Sequence, residues 1–101
     1  MAGLPLEVME RKASEVADFL MAAANKNRLM VLCHLAEAGE LTVNDLAARL
    51  NLSQPALSQH LASLRSAKLV QTRREAQTIF YQLQGSEAIQ VIKVLKSIYC
   101  P

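Results

Sequence analysis

The sequence predicts a mainly α-helical domain with a β-hairpin wing, a winged helix-turn-helix, and three observations lead there. Residues 53–65, Ser-Gln-Pro-Ala-Leu-Ser-Gln-His-Leu-Ala-Ser-Leu-Arg, separate apolar and polar side chains onto two faces of one capped helix. A short amphipathic stretch at 41–50 precedes it across a tight Asn51-Leu52 junction. Two β-rich runs, 69–74 and 77–83, follow it. The expected order is three helices, a recognition helix, two strands and a last helix. This places the helix-turn-helix at about 42–67 and the wing at about 69–83, within a single domain of residues 1–101.

Composition sets the terms for that fold. Half of the 101 residues are apolar, yet only two Phe and two Tyr are aromatic, so the core must be built from aliphatic side chains on helices. A chain of this length has little core to spare, and dimerisation would help it. The formal charge of +2 is small, but its distribution is uneven: Lys and Arg less Asp and Glu leaves −2 over 1–40, +3 over 41–84 and +1 over 85–101. The positive segment is the helix-turn-helix and wing, as nucleic-acid binding would require, although a solvated face would also account for it. The start, Met1 to Glu7, does not read as a signal peptide. The longest apolar run, Phe19 to Ala24, falls far below the roughly 20 residues of a membrane span. A cytoplasmic protein with no membrane partner is expected, and there Cys33 and Cys100 are expected as thiols rather than as a structural disulfide.

Each element has its own signal. In the first helix, about 6–24, Met9, Ala13, Val16, Leu20 and Ala24 share a stripe. Asn25 or Asn27 breaks and recaps the chain. A second stripe of Leu29, Leu32, Cys33 and Ala36 then runs to Gly39, with Cys33 on its buried side and His34 turned outward to solvent. In 41–50, Thr42 and Asp45 have capping-box spacing, with Asp in place of the usual Glu or Gln. Ser53 is a good N-cap for the recognition helix, and Pro55 sits in the first turn, where its missing N–H costs nothing.

Leu57, Leu61 and Leu64 form the inner stripe of that helix. Its outer face is centred near Gln59, flanked by Ser58 and His60, with Gln54 in the first turn. Neutral hydrogen-bonding groups stand where a solvated helix usually shows Glu and Lys, and such a face suits base edges, although an ordinary amphipathic helix with a polar outside gives a similar pattern. The candidate DNA contacts are Ser53, Gln54, Ala56, Ser58, Gln59, His60 and Arg65, with Arg73 and Arg74 of the wing as phosphate ligands. Glu75-Ala76 separates the two strands. Gly85 ends the hairpin and Ser86 caps a last helix at about 86–100.

The apolar arc of this last helix, Ala88, Val91, Ile92, Val94, Leu95, Ile98 and Tyr99, is wider than the stripe of about 100° that covers one core. The surplus implies that it packs with the first helix against a second copy of the chain.

The segment from Ser53 to Arg65, followed by Lys68-Leu-Val70 and the wing, resembles the ArsR/SmtB family of bacterial winged-helix repressors. Asn27-Arg28-Leu29, Gln54 through His60 and Phe80-Tyr81 carry the likeness, which covers nearly the whole chain. It implies a homodimer through the first and last helices, placing two recognition helices on double-stranded operator DNA. The metal ligands of many members are missing. Leu41-Thr42-Val43-Asn44 stands where arsenic, cadmium or lead sensors carry Cys-x-Cys, and Ile89, Gln90, Val91 and Lys93 stand where zinc sensors carry Asp and His. No metal or other cofactor is expected. Leu29-Met-Val-Leu-Cys33 and Ile98-Tyr-Cys100 resemble one branch, the sulfide-responsive repressors of the BigR and SqrR type with the related HlyU regulators. That resemblance implies that Cys33 and Cys100 react with reactive sulfur species, the inducer, to form a disulfide or polysulfide bridge that releases DNA.

Other readings differ in the inducer, a peroxide or a metal, or in the outcome, anti-repression in the manner of HlyU. A thiol-disulfide enzyme has neither a Cys-x-x-Cys nor a βαβ pattern behind it. With three glycines in the chain there is no phosphate loop, and no catalytic triad or carboxylate pair is evident, so a non-enzyme is expected.

Overall fold

The computed structural model describes residues 5–101, so Met1 to Leu4, with most of the stretch read for a signal peptide, lie outside the described residues. The order is α1 (Leu6–Ala23), α2 (Lys26–Ala38), β1 (Glu40–Thr42), α3 (Val43–Leu50), α4 (Gln54–Ser66), β2 (Val70–Glu75), β3 (Thr78–Leu83) and α5 (Glu87–Tyr99). This is the expected winged helix-turn-helix with one addition, the strand β1. It pairs antiparallel with β3, giving a three-stranded sheet of order β1-β3-β2. Leu41 was expected at the head of the third helix. It is instead the middle of β1, buried opposite Tyr81, and the helix starts after Thr42.

Local chemistry fixes the boundaries. Asn25, not Asn27, caps α2: its Oδ1 accepts from the amides of Asn27 at 2.9 Å and Arg28 at 3.1 Å. Gly39 closes that helix at φ +87°, a conformation L side chains rarely adopt. The capping box of α3 forms in both directions, with Thr42 Oγ1 accepting from the Asp45 amide at 3.1 Å and Asp45 Oδ2 from the Thr42 amide at 3.2 Å. Aspartate therefore serves where glutamate is usual. Asn51, left-handed at φ 54°, makes the turn to α4, where Ser53 Oγ accepts from the Ala56 amide at 3.3 Å. Ser86 occupies the N-cap position of α5 but does not cap: its backbone is already helical, and its Oγ accepts instead from the Gln90 side chain. The hairpin turn falls at Ala76-Gln77, one residue later than expected, because Glu75 pairs with Thr78.

The core gathers Val31, Leu32 and Leu35 of α2, Leu46 of α3, Leu57, Leu61 and Leu64 of α4, Leu41, Val70 and Leu83 of the sheet with Leu69 before it, and Ala88 and Ile92 of α5. It is aliphatic throughout, with Phe19 and Tyr81 at its margin. The stripe on α1, expected to meet a second copy of the chain, does not enter it. Met9, Val16 and Leu20 are exposed, and Phe19, Ala22 and Ala23 make the contact instead. On α5, Val94, Ile98 and Tyr99 are likewise 56–78% exposed. The radius of gyration, 15.0 Å, exceeds the roughly 13 Å of a compact 100-residue domain.

Candidate nucleic-acid interface and thiol recess

Two surfaces hold the residues singled out by sequence, on different sides of α2. The first is the outer side of α4. Leu57, Leu61 and Leu64 are fully buried, which forces the opposite face outward: Gln54, Ser58, Gln59 and Arg65 are exposed, and Ala56 and His60 are half-buried at its edges. Ser53 is exposed and occupied as the cap. Gln54 is held by a side-chain hydrogen bond to Asn44 Oδ1 on α3, which braces the first turn of α4 against the preceding helix. Asn44 was not singled out from sequence, since only folding brings it to Gln54.

The wing presents two faces with different chemistry. Residues paired across strands share a face, and alternate residues change sides. Val70 and Leu83 point into the core, so Thr72, Arg74 and Ile79 continue that face beyond the body, on the helix-turn-helix side. The Nε of Arg74 donates to the Ala76 carbonyl at 3.1 Å, and no carboxylate pairs with it among the described residues. Arg73 turns to the other face and is engaged by Glu40 and Glu75. The two wing arginines, expected to act alike, are therefore separated by the sheet. His34, expected in solvent, is half-buried because Arg49 of α3 packs over it, 3.4 Å from its Nδ1 and 3.5 Å from Glu37.

The second surface is a recess of about 230 Å³ between α2 and α5, lined by Leu29, Cys33, Ile92, Leu95, Lys96, Tyr99 and Cys100. Both thiols are free, Cys33 half-buried and Cys100 exposed where α5 ends. The walls are aliphatic apart from Tyr99, the sulfur atoms and one cation, Lys96. Burial pushes the Cys33 thiol above its ordinary value, the Lys96 ammonium opposes that shift, and Cys100 adds to it. Among the described residues no three His, Cys, Asp or Glu side chains gather as a metal site. No described helix is long and apolar enough to cross a membrane.

Residues 25–72 match the family described as bacterial regulatory protein, arsR family. The chain is 48% identical over 99 residues to the transcriptional activator HlyU of Vibrio cholerae, covering 98% of this chain and 91% of that protein. Its fold superposes with a TM-score of 0.88 on the transcriptional repressor BigR from Xylella fastidiosa, at 39% identity, covering 97% of this chain and 99% of the other. A homodimeric winged helix-turn-helix DNA-binding domain from Mycobacterium bovis is similar at a TM-score of 0.80 and 28% identity, covering 97% and 89% of the two chains.

Proposed function

The chain belongs to the arsR family of bacterial regulatory proteins and is a transcriptional regulator, and from that premise we propose that it is a homodimeric repressor released from its operator when Cys33 and Cys100 are bridged by reactive sulfur. The observation that carries the sensing part is that the only two cysteines, 67 positions apart in sequence, line one recess. The exposed apolar faces of α1 and α5 support the dimer, as does the homodimeric relative.

Cys100 is the accessible thiol and acts first. Its thiolate attacks the terminal sulfur of a hydropersulfide RSSH, giving Cys100–SSH and RS⁻. The Cys33 thiolate then attacks the inner sulfur, expelling HS⁻ and leaving a disulfide. If Cys33 is itself persulfidated, its terminal sulfur closes a trisulfide with the same loss of HS⁻. A direct disulfide needs Cα atoms about 4.4–6.8 Å apart, so an added sulfur relaxes the demand on α2 and α5. Either bridge ties a helix of the body to a helix of the dimer face. Altering the separation of two recognition helices by a coupling of about 1–3 kcal/mol lowers affinity about 5–150-fold.

The test is a mobility-shift assay on a duplex from the gene's own upstream region, with glutathione hydropersulfide and hydrogen peroxide in parallel. Cys33→Ser and Cys100→Ser should both bind and neither should be released by the hydropersulfide. A Cys100→Ser variant released like the parent rules out the two-thiol switch. Because HlyU is described as an activator, displacement of a second DNA-binding protein is the competing outcome, read as lost expression rather than derepression on deleting the gene.

A further inference from the structure

On the wing face turned away from the core, Arg73 of β2 lies over the ring of its cross-strand partner Phe80, 4.6 Å from guanidinium carbon to ring centroid. From there it spans the middle strand to the far edge of the sheet. Its Nε donates to Glu40 Oε2 at 3.2 Å and one terminal nitrogen to Oε1 at 2.7 Å, so both oxygens of a β1 carboxylate are taken by one guanidinium fork. The other terminal nitrogen donates to Glu75 at 2.9 Å. Glu40 lies two residues before Thr42, the cap of α3, so the chain held by Arg73 leads directly into the helix-turn-helix.

We infer that Arg73 is a positioning residue, a strut that sets the angle of the wing relative to the helix-turn-helix through Glu40 and Phe80, and that Arg74 makes the wing's phosphate contact. The inference rests on the DNA-binding reading above. Two carboxylates around one guanidinium leave the group with a net negative charge, so a phosphate approaching Arg73 would also meet the charges of Glu40 and Glu75. Arg74, one residue on, faces the helix-turn-helix side without a carboxylate partner among the described residues. A lysine would keep the charge of Arg73 but could not grip both oxygens while lying flat on the ring.

The strut and a phosphate contact make opposite predictions for Glu40. If Arg73 bound phosphate, Glu40 would compete with DNA, and Glu40→Gln would tighten binding and steepen its salt dependence. As a strut, Glu40→Gln loosens the wing and weakens binding.

The experiment selects a 30-base-pair duplex from a random pool with the unmodified protein, then measures affinity from 50 to 300 mM salt, with thermal melting as the check on folding. Arg73→Gln and Glu40→Gln should each weaken binding several-fold with the salt slope unchanged, and the double variant should bind no more weakly than either single one. Arg73→Lys should not restore the affinity, and Arg74→Gln should flatten the slope by about one. Tighter binding by Glu40→Gln, a flattened slope for Arg73→Gln, or full affinity in Arg73→Lys overturns the strut and leaves the DNA-binding reading intact. Failure to enrich any duplex overturns both.

Discussion

Burial of the Cys33 thiol makes it a poor nucleophile until the pH exceeds the ordinary thiol value of 9.0, because the thiolate must leave water to form. With iodoacetamide at pH 8, Cys100 should be alkylated first. The rate at Cys33 should still be climbing above pH 9, as intact-mass time courses across pH 7–10 would show. The folded value is the raised one, so folding favours the protonated thiol, and its contribution to stability is complete below pH 9 and lost as pH rises further. On α4, Gln59→Ala should relax base preference by about 1–3 kcal/mol at one position, because it removes a carboxamide able to pair with adenine; binding to a panel of single-base variants checks this. If all variants weaken equally, Gln59 does not read a base. The leucines of α4 and its cap were legible because their spacing and chemistry are local. The partners of Arg73 were not: Glu40 lies 33 positions away, and only strand pairing brings the two together.

Most elements with a strong local code were read correctly, the cap of α5 and the exact hairpin turn aside, and the missed strand is instructive. α3 has a capping box at one end and a left-handed asparagine at the other, so its limits follow from side chains within four residues. Thr42→Ala should cost about 1 kcal/mol in denaturant unfolding, the usual worth of a lost N-cap. Leu61→Ala, at a position 1% exposed, should cost about 2–5 kcal/mol as a cavity opens in the aliphatic core. Equal costs for the two would mean that the core yields around the missing side chain. By contrast β1 has three residues, too few to show alternation, and it is a strand only because β3 offers it an edge. The stripe of α1 was read as apolar and assigned to a second copy of the chain, and in the single chain it stands exposed; periodicity gives a face without saying what covers it.

At the scale of the molecule, the aliphatic faces of α1 and α5 are the surface proposed for the dimer. A free chain would leave Leu20, Val94 and Ile98 in water, each more than half exposed. Ile98→Glu should yield a folded monomer in analytical ultracentrifugation with a much weakened affinity for a two-half-site duplex, since each chain carries one recognition helix. A variant that remains dimeric would place the interface elsewhere.

α2 touches α1, α3, α4, α5, β1 and β3, whereas α1 and α5 have few neighbours in one chain. Its backbone amides should accordingly be the last to exchange with deuterium, after those of α1 and the closing turn of α5. The thiol recess thus joins the most protected helix to one of the least protected ends. In the proposed dimer, dilution that parts the subunits should let the C-terminal turn carrying Cys100 exchange quickly while the helix-turn-helix stays protected, so the proposed sensing would be lost at concentrations where the ability to fold is still complete.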